Sequence, residues 1–213
     1  MLVKKLLILC AALIGQIFPL PTPTANYANK LILTEPDTYI MYWNYTDSDI
    51  LFEVHVKTKG WVGFGLSPNG DMLNSDVIVT WVNADGSSHF TDRNIKTTRA
   101  VNVDKEQNWF SLKTIFKDGY TIAKFTRKIK ICDTSNEDID IENGTPFVIY
   151  AWGDSLSNND AGYHGKSNRG SKTVPLITTL NTKVSVNMNE VETTEYRVNV
   201  CFFLFSYLEN ILL

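Results

Sequence analysis

Histidine and cysteine are scarce in this chain, whose 213 residues contain three of each. So few imidazoles and thiols exclude a site built from many soft ligands. Basic charge is also limited, because 20 lysines and arginines are outnumbered by 23 aspartates and glutamates. That balance excludes the basic footprint of a nucleic-acid-binding protein. The remaining composition, 44% hydrophobic and 12% aromatic, is that of a globular domain with one sizeable core.

Residues 1–25 have the pattern of a secretory signal peptide. Lys4 and Lys5 form a short basic region, residues 6–14 are an apolar run, and a stretch rich in proline and threonine ends at Ala25. A membrane anchor is the alternative, but a bilayer span needs about 20 apolar residues. We therefore predict cleavage near Ala25 and a secreted or secretory-pathway protein without a membrane span.

Secretion would expose two sequons to glycosylation and two cysteines to oxidation. Asn44 and Asn143 each begin an Asn-x-Thr sequence and are predicted N-glycosylation sites. Cys132 and Cys201 would lie in an oxidising compartment. They can pair with each other, or each can bond to another chain, so that Cys132 offers a route to a homo-oligomer.

The body of the chain favours β-strands, because no long stretch keeps the 3.6-residue apolar period of a helix. Within residues 50–57, Phe52, Val54 and Val56 alternate with polar residues, which predicts a strand with His55 on its solvent face. Many short strands separated by turns indicate an antiparallel sandwich or barrel. The predicted strands cover 38–43, 50–57, 60–66, 77–82 (central in its sheet), 88–91, 120–125, 147–152 and 172–177.

Four segments carry a resemblance to a known family. They read GWVGFGLSPNGDMLNSDVIVTWVNADGSSHFTDRNI (60–95), FTRKIKICD (125–133), FVIYAWG (147–153) and YHGKSNRGSKTVPLI (163–177). Together they resemble the DOMON domain that precedes the copper-binding domains of dopamine beta-hydroxylase-like monooxygenases, with the monooxygenase X branch most similar. The resemblance covers residues 30–180 and implies an all-β, immunoglobulin-like antiparallel sandwich.

The same resemblance bears on copper chemistry. Residues 191–196 (VETTEY) resemble the entry into the first catalytic domain, and the similarity ends after Arg197. We therefore expect residues 181–213 to be a tail that runs toward a missing copper monooxygenase domain. His55, His89 and His164 form no His-His or His-x-His pair. Copper is expected only in the missing domains, and the chain is not expected to be an enzyme by itself.

Two other sites follow from the resemblance. In related DOMON domains a cation lies among aspartates and backbone carbonyls, and the matching positions are Asp76, Val77, Thr91 and Asp104. Oxygen ligands of this kind suit Ca²⁺ or Na⁺. Other DOMON domains hold haem b between a methionine and a histidine, at positions that match Met72 and His164.

We therefore expect a secreted, non-catalytic DOMON module that binds a structural cation or a partner protein. One alternative is a haem-carrying electron-transfer domain. Another is a fragment of a copper-dependent monooxygenase that acts on catecholamine-like substrates.

Overall fold

The computed structural model describes residues 20–131, 137–141 and 147–178, and all regular structure in these ranges is β-strand. The part of the chain so described contains no helix that could cross a bilayer. The strands are β1 (Asn29–Thr34), β2 (Tyr39–Tyr45), β3 (Asp49–Val56), β4 (Trp61–Ser67), β5 (Ser75–Val82), β6 (Ser88–Ile95), β7 (Val101–Val103), β8 (Trp109–Lys117), β9 (Tyr120–Lys128), β10 (Phe147–Gly153), β11 (Leu156–Ser157), β12 (Asp160–Ala161) and β13 (Arg169–Thr173).

The strands form two antiparallel sheets and a short hairpin. The first sheet has five strands in the order β1-β2-β3-β9-β8, and the second has six in the order β13-β10-β4-β5-β6-β7. Strands β11 and β12 pair only with each other. The expected all-β, immunoglobulin-like antiparallel sandwich is confirmed, and β5 is a central strand as predicted.

The core lies between the two sheets, and alternation along the strands fills it. Phe52, Val54 and Val56 of β3 are fully buried, as their spacing predicts. Phe52 meets Phe64 of the opposite sheet with ring centroids 5.0 Å apart. Full burial of each such side chain stabilises the fold by roughly 1.5–3 kcal/mol, so this aromatic contact is a principal link between the sheets.

Glycine lets β4 approach its neighbour β5 closely. A Cβ on Gly65 would overlap the backbone of Asp76 and Val77, and backbone atoms cannot move aside as a flexible side chain can. Glycine within a strand is typical of a position where two backbones approach closely, and Gly65 is one.

Several strand boundaries differ from the prediction. The unpredicted strands are β1, β7, β8, β11 and β12. Strand β6 continues to Ile95 rather than Thr91, and β13 occupies Arg169–Thr173 rather than 172–177. Strand β8 escapes a search for alternation because it is a sheet edge with few buried positions, of which Trp109 and Thr114 are two. An edge strand packs on fewer neighbours, so its apolar pattern is weaker.

His55 is not on a solvent face, so that prediction was wrong. The side chains of His55 and Glu53 are both fully buried, although they point away from the core. The reason lies upstream: Thr24 and Tyr27 donate hydrogen bonds to the Glu53 carboxylate, and the Tyr42 ring lies 5.1 Å from the imidazole. An additional layer of chain therefore covers this part of the sheet.

Candidate functional site

A buried acidic cluster lies between the sheets. Alternation in β5 turns Asp76 and Ile78 toward the core, and Ile78 is paired in register with Asp92 of β6. Carboxylate oxygens of Asp76, Asp92 and Asp138 all lie within 4.8 Å of one another. Asp104 is buried beside them and accepts a hydrogen bond from Asn94. Two strands and two connecting segments thus bring four acids together.

Asp76 forms a buried ion pair with an arginine. Arg127 Nη1 of β9 lies 2.5 Å from Asp76 Oδ2, and both side chains are fully buried. Trp109 Nε1 donates to Asp76 Oδ1 at 2.6 Å, and the Ile139 amide donates to Oδ2 at 3.0 Å. The Arg127 guanidinium also lies over the Trp109 ring, 4.6 Å from its centroid.

The cluster contains carboxylate oxygens with no donor. Asp92 Oδ2 accepts from the amides of Asn108 (2.7 Å) and Trp109 (3.1 Å), whereas Asp92 Oδ1 is buried without a hydrogen-bond partner. Asp104 Oδ2 is likewise buried without a hydrogen-bond partner. Because a buried, unsatisfied polar atom is costly, such atoms mark a place for a ligand.

Burial and mutual repulsion disfavour the charged forms of three of these acids. Burial, together with the charge of Asp76, raises the pKa of Asp92 to about 9. Burial is also the main cause that raises the pKa of Asp138 to about 7 and that of Asp104 to about 6. The four acids share one buried arginine, so an added cation would reduce the repulsion among their carboxylates.

The predicted cation ligands are partly brought together. Asp76 and Asp104 both lie in the cluster. Val77 instead packs with Ile149 on the outer face of the sheet, and the Thr91 hydroxyl accepts from Arg93 Nε at 2.7 Å. The role predicted for the carbonyls of Val77 and Thr91 stays a prediction.

Asp92 and Asp138 were missed as candidate ligands. Asp138 lies in a polar loop, where its sequence surroundings alone favour a solvated side chain, but its carboxylate faces the cluster. Asp140 of the same loop is exposed and accepts from the Ile131 amide at 2.7 Å. No feature of the sequence distinguishes Asp138 from Asp140. For Asp92 a signal does exist, because Asp92 and Asn94 are two positions apart in β6 and so share one face of the strand.

A second feature is a cleft of about 960 Å³ on the outer face of the six-stranded sheet. Its floor is apolar and includes Val79, Ile95 and Ile149. Gly63 of β4 belongs to the floor, and the lack of a side chain there deepens the hollow. Ligand pockets commonly enclose about 300–1,000 Å³ and combine apolar walls with a few polar groups, so the cleft is large enough for an extended planar ligand.

Met72 and His164, the predicted haem ligands, both line this cleft. Met72 packs against the group formed by Val77, Ile95 and Ile149. His164 Nδ1 lies 2.6 Å from the carbonyl oxygen of Gly165. A carbonyl can only accept, so Nδ1 carries a proton and Nε2 is the ring nitrogen that does not take part in this contact. The residue pair predicted from the resemblance is therefore brought to one cavity.

Basic residues outnumber acidic ones in the lining of the cleft. Arg93, which is buried, makes a bidentate pair with Asp160 at 2.9 and 2.7 Å and so ties the β11–β12 hairpin to β6. Arg99 pairs with Asp71 at 3.2 Å. Lys166 and Arg169 also belong to the lining. A cleft with an apolar floor and cationic groups suits an amphipathic anion.

The three histidines lie in different surroundings. His55 is buried beside Glu53, His89 stacks on Trp81 with centroids 3.8 Å apart, and His164 lines the cleft. Burial lowers the pKa of His89, and the charge of Arg93 adds to this effect.

Of the predicted modification sites, Asn44 alone lies among the residues that the structure describes. Asn44 is buried, its Oδ1 accepts from the Ala28 amide, and its Nδ2 donates to the Asn26 carbonyl, each at 2.7 Å. This buried, hydrogen-bonded position disfavours a glycan on that nitrogen, and glycosylation at Asn44 stays a prediction. Asn143, Cys132 and Cys201 lie outside the described residues, as do residues 1–19 of the predicted leader and residues 179–213.

Comparison with known proteins identifies a family and its relatives. Residues 35–153 match the DOMON domain family. The chain is 32% identical to human DBH-like monooxygenase protein 1 over 75% of its own length and 25% of that protein. It is 30% identical to bovine dopamine beta-hydroxylase over 69% of its own length and 23% of that protein. The chain thus spans about a quarter of the length of these relatives.

Two solved structures share the fold. One is the cytochrome domain of Myriococcum thermophilum cellobiose dehydrogenase, with a TM-score of 0.58 and 15% identity over 78% of this chain and 91% of that one. The other is the cytochrome b domain of pyranose dehydrogenase from Coprinopsis cinerea, with a TM-score of 0.51 and 12% identity over 67% of this chain and 78% of that one. At these identities the likeness shows the fold alone.

Proposed function

This chain belongs to the DOMON domain family, and from that premise we propose that it is a binding module whose cleft holds haem b between Met72 and His164. The observation that carries the proposal is that both residues line a single cleft. A thioether and an imidazole are a known axial pair for electron-transfer haem. The names of the two structural neighbours, both cytochrome domains, support the same ligand.

The residues present fit a haem. The floor of Gly63, Val79, Ile95 and Ile149 is apolar, as a macrocycle requires. The Nε2 of His164 is left to coordinate iron, because Nδ1 is engaged with the Gly165 carbonyl. Arg169 and Lys166 supply positive charge for the two propionates. Bound haem would supply one-electron chemistry, while these side chains would orient it and exclude water.

A haemin titration of the purified, secreted chain tests this proposal. We expect a Soret band that saturates at one haem per chain, and we expect at least a tenfold weaker affinity in His164→Ala. His89→Ala is the matched control, because His89 is a half-buried imidazole outside the cleft lining. Failure of the wild-type chain to saturate, or equal loss in both variants, contradicts the proposal.

A second binding function is favoured by the acidic cluster. We propose that Asp76, Asp92, Asp104 and Asp138 hold a structural cation, Ca²⁺ or Na⁺, between the sheets. The supporting observation is that Asp92 Oδ1 and Asp104 Oδ2 are buried without donors. Hard carboxylate oxygens suit these ions rather than copper. Such a cation would stabilise the sandwich and leave the cleft free for another ligand.

We further propose that the chain acts in the secretory pathway or outside the cell. The leader pattern of residues 1–25 and the similarity to DBH-like proteins support this location. Cys132 would then offer contact with a partner protein or a second copy. A copper-dependent role with catecholamine-like substrates remains the alternative, since the chain spans only 25% of its human relative.

A further inference from the structure

The Glu53 carboxylate occupies an unusual position, buried on the face of β3 that points away from the core. Its side chain is fully buried, and so is that of His55, whose Nε2 lies 2.6 Å from Glu53 Oε1. Alternation along β3 would place both in solvent. A carboxylate withdrawn from water is tolerated only when hydrogen-bond donors surround it.

The donors come from the segment that precedes β1. The Thr24 amide donates to both Glu53 oxygens at 2.9 and 3.2 Å, and the Thr24 hydroxyl donates to Oε2. Tyr27 Oη also donates to Oε2, at 2.9 Å. Pro21, three residues before Thr24, is buried. The segment is therefore part of the folded domain from Pro21 onward.

Asn44 fixes the same segment at a second place. Its buried side-chain amide accepts from the Ala28 amide and donates to the Asn26 carbonyl, each at 2.7 Å. Two buried polar side chains, on adjacent strands β2 and β3, thus depend on residues 24–28 for their hydrogen bonds. Cleavage after Ala25, as predicted from the sequence, would remove every donor that Thr24 provides.

We infer that the processing site of the leader lies before Thr24, so that the mature chain keeps the segment that closes over Glu53. This inference rests on the proposed secretion. Signal peptidases require a small residue before the cut, and Gly15 is the last glycine, alanine or serine before Thr24. A cut directly after Gly15 keeps Thr24 and begins the mature chain at Gln16.

Terminal sequencing of the protein secreted by animal cells that express the full chain tests the inference. We expect the first residue to lie at or before Thr24, and Gln16 is the start that a small residue before the cut favours. A first residue of Ala25 or later overturns the inference while the proposed secretion stands. Retention of Met1 on protein that stays inside the cells contradicts both, so the two failures are distinguishable.

A pair of threonine variants tests the contact itself. In the full secreted chain, Thr24→Ala removes the hydroxyl that donates to Glu53, and we expect its Tm to fall by roughly 3–8 °C. Thr22→Ala is the matched control, because Thr22 is, like Thr24, an exposed threonine of this segment, but only Thr24 donates to Glu53, and we expect its Tm to stay within about 1 °C of wild type. Equal values of Tm for the two variants overturn the inference.

Discussion

Arg127 and Asp76 form an ion pair across the sandwich, with both side chains fully buried and Nη1 2.5 Å from Oδ2. Arg127 belongs to β9 of the five-stranded sheet and Asp76 to β5 of the six-stranded sheet. Arg127 Nη2 also donates to the Ile139 carbonyl at 2.7 Å, which ties residues 137–141 to the same centre. This one guanidinium therefore connects both sheets and the segment that carries Asp138.

Loss of Arg127 should be among the most damaging substitutions in the chain. Arg127→Met leaves Asp76 buried without its cation, and breaking a buried pair costs about 3–5 kcal/mol of the free energy of unfolding. Lys128→Met is the matched control, because Lys128 is exposed and its pair with Asp49 is worth about 1 kcal/mol or less. Urea denaturation measures both, and similar midpoints would show that the buried pair does not stabilise the fold.

Calcium should raise the stability of the wild-type chain. A ligand that binds only the folded state at 100 times its Kd adds about 2.7 kcal/mol, or roughly 5–10 °C in Tm. Asp92→Asn replaces the acid whose Oδ1 has no partner by an amide that cannot become an anion when a cation binds, so we expect its Tm to respond little to calcium. Asp140→Asn, an exposed acid outside the cluster, should respond as wild type does. An unchanged wild-type Tm at millimolar Ca²⁺ and at high Na⁺ counts against the cation site.

Glu53 should contribute a pH-dependent part of the stability. Burial raises the pKa of its carboxyl, but hydrogen bonds from His55 and Thr24 outweigh burial and leave the pKa below its ordinary 4.5. A folded-state pKa below the unfolded one stabilises the fold above the unfolded value, and this contribution is lost as pH falls through the folded pKa.

The free energy of unfolding of wild type should therefore decline more steeply below about pH 5 than that of Glu53→Gln, whose amide does not titrate there. Denaturant titrations between pH 3 and pH 7 measure the difference. Parallel pH profiles for the two proteins would contradict the role given to Glu53.

Two glycines of β4 should respond differently to alanine. Gly65→Ala places Cβ against the backbone of Asp76 and Val77, so we expect a loss of several kcal/mol or no folded protein. In Gly63→Ala, Cβ meets the Trp61 ring at 3.3 Å and projects into the cleft. That variant should fold but bind haemin more weakly. Secretion yield and Tm test the first expectation, and the haemin titration tests the second.

The fold could largely be predicted, because alternation is a local property of each strand. Phe52, Val54 and Val56 reveal the core face of β3 without any knowledge of its neighbours. The same rule failed for His55, because a segment about 30 residues upstream covers the other face. When a segment far away in the sequence covers a residue, the apolar pattern around that residue does not reveal its burial.

The candidate sites also divide into residues that the sequence could identify and residues that only the packing brings together. Met72 and His164 were found through their resemblance to family positions, and the fold brings them to one cleft. The acidic cluster was found only in part, because Asp92 and Asp138 meet through the packing of both sheets and a connecting segment. Asp92 lies in the part of β6 that was not predicted, and Asp138 lies 46 positions later in a polar loop. No spacing rule links two residues placed in this way.

The absorption spectrum of the haem-loaded chain, oxidised and reduced, tests the central claim most directly. Ligation by Met72 and His164 predicts a six-coordinate, low-spin spectrum in the wild-type chain and its loss in Met72→Ala. Met41→Leu is the control, because Met41 is buried in the core between the sheets. A high-spin wild-type spectrum, or one unchanged in Met72→Ala, would contradict a haem held between these two residues.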